Sequence, residues 1–443
     1  MAVDEDDEND NEAGSTNTFS TETDDLISRV DIAEETDYGN YQSLTTSAIL
    51  SHCKHKILRP YLRLLAVIGL RGFVTEQPNV PTPVIIFGYI HLSQVILFML
   101  LGYILQYMAC FRRDRGFCYK ILPTYKTTEI SDHTDICYGS DMYSFIIPSL
   151  LHFTAFLYAL YLLRFKETEQ LENLMERTFL LSAHRTDGHR KQELLVRYLW
   201  IFISLSILWM ALSFSSVIIM LSNGNVVIRW LHNDNYKIFL EIILIISTLW
   251  HDMVQATIIT SYCLQVKLLS SSLFFLRGKL LQHTIQPLTW VREINECQNF
   301  LNYLNNDFAP AVGIFTLVNT SWALSGIFWL LKLDSIDKDT KPINIISILI
   351  VILWVVAAIA PFIMAAWLTG ACTMLRYVGH EVRIRPFVYQ DTPGEDLDTI
   401  LLYTSTLKMK SKIFTIPISG HYLCLCLTVM AIFILTLGQC HVL

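Results

Sequence analysis

The chain has 443 residues, 52 % of them hydrophobic and 16 % charged, with a mean hydropathy of +0.40. That balance excludes a soluble globular core and points to a polytopic membrane protein. The formal net charge of −7 has a local origin: fourteen acids and one base, Arg29, lie between Asp4 and Asp37, and the rest of the chain carries +6.

In chain order, residues 1–50 are acidic and rich in Asn, Ser and Thr, the composition of a disordered cytoplasmic tail. They lack the charged-then-apolar pattern of a secretory signal, so the first membrane helix is expected to direct insertion. Residues 51–443 form the membrane domain. The apolar stretch 62–70 is short and bracketed by Arg59, Arg63 and Arg71, which predicts an interfacial helix. Crossing about 30 Å of hydrocarbon takes about 20 helical residues. Seven stretches qualify: 84–108, 142–163, 199–221, 238–262, 309–331, 346–368 and 422–438. The fold class is therefore an all-α polytopic membrane protein with seven transmembrane helices. Residues 164–197 and 265–308 also carry apolar stripes at helical spacing, among them Leu268, Leu269, Phe275, Leu276, Trp290 and Ile294. They read as membrane helices that continue into the cytoplasm and pack together.

Lys and Arg set the direction of threading, because they accumulate in cytoplasmic loops. Of the 33, 23 lie on the side that holds the N-terminus and 10 on the other. The N-terminus is expected inside and the C-terminus outside. The first outer loop runs against the trend, with Arg112, Arg113, Arg115, Lys120 and Lys126. The ten cysteines show no metal-ligand spacing, and no cofactor or metal is expected. Cys110, Cys118 and Cys137 share the first outer loop, where one disulfide can form by any of three pairings.

Charges at bilayer depth cost about 2.5–3.5 kcal/mol on insertion scales, so they face protein or water. His251 and Asp252, beside Trp250 near the middle of the fourth span, are such groups. They read as part of a polar cavity or of the coupling to a gate, or as residues near the inner interface if that span sits a turn earlier. Aromatic and polar residues in spans two to six have the mixture a small-molecule pocket wants. They are Tyr143 and His152 on the second span, Phe214 on the third, Trp250 on the fourth, Asn319 and Trp322 on the fifth, and Trp354 on the sixth. Helix packing and interfacial anchoring use the same residue types. Pro148 and Pro361 each remove a backbone hydrogen bond from their helix.

The end of the chain resembles a known family. Insect gustatory receptors, a branch of the seven-helix chemoreceptor superfamily that includes the odorant receptors, close their last helix with Thr-Tyr, five apolar residues and Gln-Phe. Here the chain reads Ile432-Phe433, five residues ending at Gly438, then Gln439-Cys440. Gln439 matches, Phe433 is close to the family's Tyr, and Ile432 and Cys440 depart. The run Lys410-Ser411-Lys412-Ile413-Phe414-Thr415 before the last helix is also similar, as is Arg59-Pro60-Tyr61-Leu62-Arg63 followed by Gly69. The resemblance covers residues 58–443 and implies a ligand-gated, non-selective cation channel of the plasma membrane. Four subunits, identical or related, pack through inner helical extensions, and the last helix lines a central pore. A small molecule binds an outer pocket among helices two to six, and His251 and Asp252 take part in coupling. Gln439 then faces the pore near its outer end and Phe433 lies close to the gate. Leu435 and Ile432 share the face of Gln439 at i−4 and i−7, and apolar constrictions of this kind gate by dewetting. Membrane lipid is the surrounding partner, and no nucleic acid is implied.

A G-protein-coupled receptor and a secondary transporter are the alternatives. The former needs the opposite orientation and an Asp-Arg-Tyr-like triplet after the third span, where Ser222-Asn223-Gly224-Asn225 stands. The latter favours broken helices and internal repeats, and no repeat is visible. No His-Glu-x-x-His, Gly-x-Ser-x-Gly or phosphate-binding loop occurs, so no enzyme activity is expected.

Overall fold

The computed structural model describes residues 51–442, apart from residue 52 and residues 73–81, 114–115, 118, 121–135, 138–140, 167–169, 184–187, 224–227, 229–233, 334–340 and 385–393. The acidic tail expected over residues 1–50 lies outside the described residues. A π-helical turn, Lys54–Leu58, leads into helix α1 (Arg59–Val67), which has proline in its first turn, where the missing N–H would be unpaired anyway. Tyr61, Leu65 and Ala66 are buried while Arg59 and Arg63 stay exposed, the amphipathic division expected of this segment. The Gly69 N–H reaches the Ala66 carbonyl at 3.1 Å, and the Leu70 N–H reaches the Leu65 carbonyl at 2.9 Å. Gly69 has φ +89°, the left-handed conformation that closes a helix in this way at least cost for glycine.

The apolar stretches become α2 (Thr82–Met108), α3 (Ile147–Tyr161), α5 (Gly188–Asn223), α6 (Asp234–Leu281), α8 (Ala309–Leu333) and α9 (Lys341–Arg383). Between and after them lie α4 (Gln170–Ala183), α7 (Pro287–Tyr303), α10 (Gly394–Thr406) and the last helix, α11 (Gly420–Val442). By length and composition, six stretches among the described residues can cross a membrane: Thr82–Met108, Met142–Lys166, Gln192–Ser222, Tyr236–Leu281, Pro287–Leu330 and Ile346–Arg383. These contain the first six expected spans. The seventh, 422–438, falls within α11, whose described apolar portion is Gly420–Ile432. Three two-stranded antiparallel ladders complete the chain: β1 (Phe111–Arg112) with β2 (Gly116–Phe117), β3 (Tyr119–Lys120) with β4 (Ile136–Cys137), and β5 (Lys412–Ile413) with β6 (Ile416–Pro417).

α6 has 48 residues and α9 has 43. At 1.5 Å per residue they run about 70 and 65 Å, roughly twice the hydrocarbon thickness. Their further halves form a helical bundle with α4, α7 and α10, the packed inner extension anticipated for residues 164–197 and 265–308. Trp290 of α7 is fully buried and donates its indole N–H to the Leu276 carbonyl at 3.2 Å. Thr178 and Ser272 hydrogen-bond at 2.8 Å between α4 and α6. Arg177 bridges Glu293 at 2.9 Å and Glu296 at 3.2 Å. Partial burial disfavours its charge, yet the Glu293 hydrogen bond and carboxylates hold Arg177 above the usual guanidinium range.

The run before the last helix is a tight hairpin. Phe414 and Thr415 form its turn with φ of 51° and 65°, the left-handed pair that a two-residue β-hairpin requires. A Cβ on Gly313 of α8 would fall 2.7 Å from the Phe414 ring, so glycine there makes room for this turn. The Asn305 side chain clamps the hairpin, donating to the Lys410 carbonyl at 2.9 Å and accepting from the Lys412 N–H at 2.8 Å. Ser411 N–H donates to Thr369 of α9 at 3.2 Å. The start of α11 is thus fastened to both α8 and α9.

Trp290→Ala removes a large, fully buried core side chain, at a cost of roughly 3–5 kcal/mol. The full-length protein in detergent should lose several degrees of melting temperature, read by fluorescence-detected size exclusion after heating. An unchanged melting temperature would show that the inner bundle does not limit stability.

Candidate functional site

The halves of the helices on the side of the first loop enclose a dense group of buried polar side chains. α6 supplies Ser247, Thr248, His251, Asp252 and Gln255, all buried and repeating at i, i+4 and i+8, so they form one stripe on the helix. α2 comes close to this stripe at Gly102, where a Cβ would lie 2.7 Å from His251 Cε1 and 2.8 Å from Ser247 Cβ.

The central contact joins α6 to the first loop. After β1 the chain turns inward and Arg113 forms a salt bridge with Asp252, their side chains 7 % and 1 % exposed. The Ser213 hydroxyl of α5 donates to the other Asp252 oxygen at 2.7 Å. The guanidinium lies 5.6 Å from the Trp322 ring centroid and 5.3 Å from that of Trp354, within range of a cation–π attraction. Trp354 also donates its indole N–H to the Arg113 carbonyl at 3.0 Å. Trp209 packs edge-on to Trp354 and donates to the Leu353 carbonyl at 3.0 Å.

A second layer surrounds His251. Its Nε2 lies 3.1 Å from the Met99 carbonyl, which can only accept, so Nε2 carries the hydrogen. Nδ1 then accepts from the Gln106 amide at 3.2 Å, and the same amide nitrogen reaches Thr248 Oγ1 at 3.3 Å. Tyr103 stacks on His251 with ring centroids 4.3 Å apart, and its hydroxyl bonds His152 Nδ1 at 2.7 Å. His152 is edge-on to Phe315 of α8 at 5.0 Å. Deeper along α6, Gln255 donates to Asn319 at 2.8 Å.

Two voids of about 20 Å³ flank Arg113, each with space for about one water. One is bordered by Tyr103, Gln106, His152, His251 and Trp322, the other by Ser213, Ser216 and Trp354, and both share Phe111 and Arg113 as walls. A roomier cavity of about 210 Å³ lies elsewhere, between α1, α5 and α6, and is mostly apolar. Among the described residues no three metal-ligating side chains converge.

Of the residues singled out from sequence, His152, His251, Asp252, Trp322 and Trp354 are brought together. Asn319 reaches the group through Gln255, while Trp250 turns the other way, packing edge-on to Phe98 at 5.8 Å. Phe214 is half-buried and borders neither void. Tyr143 sits in the π-helical turn before α3, is 77 % exposed and borders neither void. His251 and Asp252 lie towards the end of the bundle that carries the loop after the first span, because Arg113 of that loop meets Asp252. Arg113, Tyr103, Gln106 and Ser213 escape a reading by hydropathy. Two signals point to Arg113 and its partners: the polar stripe of α6, and a loop whose bases violate the charge rule. Cys110 is disulfide-bonded, as anticipated for this loop. On α11, Ile432 is 55 % exposed, and the side chains of Phe433, Leu435 and Gln439 lie outside the described residues.

No protein-family model matches the sequence, and no curated protein matches it. Solved structures do. The insect olfactory receptor OR5 from Machilis hrabei is similar with a TM-score of 0.60 at 10 % identity, over 88 % of this chain and 98 % of that one. The same receptor in complex with eugenol is similar with a TM-score of 0.57 at 11 % identity, over 88 % and 99 %. The chain therefore has the fold of an insect olfactory receptor, and the resemblance read from its sequence to the insect seven-helix chemoreceptor superfamily holds at the level of fold. It is a multi-pass membrane protein.

Removing one partner of a buried ion pair costs about 3–5 kcal/mol, whereas replacing both with apolar groups is often neutral. Asp252→Leu alone should therefore lower the melting temperature sharply, and Arg113→Met added to it should recover most of the loss. Additive losses in this double-mutant cycle would mean that the two side chains do not interact.

Proposed function

We propose that the chain is a gustatory-type chemoreceptor, a ligand-gated, non-selective cation channel of the plasma membrane. Four subunits, identical or combined with related receptors, surround a pore lined by α11, the seventh span. The observation that carries this reading is the fold shared with an insect olfactory receptor over nearly the whole of both chains. One structure of that receptor is a complex with eugenol, which supports a small organic ligand here as well.

Further observations support it. Tyr422, Leu425, Val429 and Ile432 repeat at heptad spacing along α11, and all four are exposed within a single subunit. Such an apolar stripe suits contact with further copies, and Gln439, seven residues beyond Ile432, shares its register. The Cys110 disulfide fits an oxidising exterior for the first loop, while Cys53, Cys263, Cys297 and Cys372 are free. That agrees with a cytoplasmic N-terminus.

The outer cluster is the proposed ligand site, with His152, Trp322 and Trp354 in its wall and His251 and Asp252 coupling it to the gate. α8 carries Trp322 near its middle and Gly313, against Phe414, in its first turns. α9 carries Trp354 and, further along, Thr369 bonded to Ser411. Rearrangement at the site would thus reach the hairpin that leads into α11. A ligand opens the pore only to the extent that it binds the open arrangement more tightly.

Whole-cell recording from cells expressing the chain, challenged with a panel of small organic compounds, should show ligand-evoked cation current independent of G proteins. Gln439→Ala should change its rectification or ion selectivity. Gly313→Val, which displaces Phe414, should reduce evoked current at least several-fold while surface expression holds. Ligand responses that need a G protein and are absent from excised patches would overturn the channel.

A further inference from the structure

Arg113 occupies its site in the way a ligand would. It reaches Asp252 from a loop rather than from a helix, lies against two tryptophan rings, and separates the two small voids. One of its terminal nitrogens, Nη1, is buried without a hydrogen-bond partner, so the carboxylate and rings are better matched than the arginine itself. The voids are too small for an organic molecule. A ligand must displace something, and of the two walls the voids share, Phe111 and Arg113, Arg113 is the one whose charge a bound cation could replace against Asp252.

Resting on the reading of this cluster as the ligand site, we propose that it takes a small organic cation, a guanidinium or ammonium on a flat apolar group, which replaces the Arg113 side chain against Asp252. Charge sets the class. A neutral molecule in that position would strand Asp252 without a counter-charge in a dry interior, which is strongly unfavourable. A cation restores the pair, accepts the negative faces of Trp322 and Trp354, and lets Ser213 keep its hydrogen bond to the second carboxylate oxygen. Arg113 is then an internal competitor that keeps the empty site folded. Its departure frees the loop whose backbone carbonyl is bonded to Trp354 of α9, which ties occupancy to a helix leading towards α11.

The test uses full-length protein in detergent, with benzylguanidinium and its neutral isostere benzylurea as probes. Tryptophan fluorescence and melting temperature are the readouts. Wild type should bind benzylguanidinium saturably and benzylurea at least about tenfold more weakly. Arg113→Gln, without the internal competitor, should bind benzylguanidinium about tenfold more tightly or better, since apparent affinity scales with the fraction of competent sites. If that variant is poorly folded, benzylguanidinium should raise its melting temperature and benzylurea should not. Asp252→Asn should lose the preference for the cation. Equal binding of the two probes by wild type, or no gain in Arg113→Gln by either readout, overturns the proposal. Cation-selective binding without evoked current keeps this site and sinks the channel reading. Current evoked by neutral compounds and indifferent to Asp252→Asn does the reverse.

Discussion

The outer half of this protein is organised by one constraint: a carboxylate buried in a membrane helix must find a cation. Asp252 cannot face lipid without a large penalty, and among the described residues no neighbouring helix offers a lysine or arginine at its depth. The first loop supplies one. To do so it turns back after β1, brings Phe111 and Arg113 into the bundle, and sets the Arg113 carbonyl where Trp354 can bond it. The tryptophans of α8 and α9 close over the guanidinium, and Ser213 of α5 completes the carboxylate. Five segments of the chain, the first loop, α5, α6, α8 and α9, meet at one ion pair.

The long helices give that constraint mechanical reach. α6 and α9 each exceed the bilayer, so one continuous rod carries polar groups outside and a dense apolar core inside. The two ends differ in kind. The inner bundle is fastened by Trp290, by Arg177 with its two glutamates, and by Arg277 with Glu381 at 2.8 Å. The outer site is closed mainly by a loop side chain beside two small voids, and it leaves buried polar atoms of Arg113, His152, Gln255 and Asn319 without partners.

Where helix meets helix at short range, glycine marks the place. Gly102 lets α2 reach His251, and Gly313 lets α8 reach the hairpin turn. Tyr143 shows the opposite case: a promising residue type in a promising span that points away, because the π-helical turn Met142–Ile146 leaves it on the exposed side.

The sequence by itself determined the all-α membrane architecture, the positions of the first six spans, the amphipathic α1 and the inner helical extensions. These follow from hydropathy and helical spacing, which are local properties and are written residue by residue. It also marked His251 and Asp252 as groups that need company, because a charge at depth is costly wherever the chain goes. Only the tertiary structure decided what that company is. The partner of Asp252 lies 139 residues away in a loop, and no periodicity links a loop base to a helix acid. The same holds for the contact of Phe414 with Gly313, for the separation of Trp250 from its neighbours in sequence, and for the exclusion of Tyr143. Each depends on how helices rotate and approach one another, which is set by packing across the whole bundle rather than by any one segment.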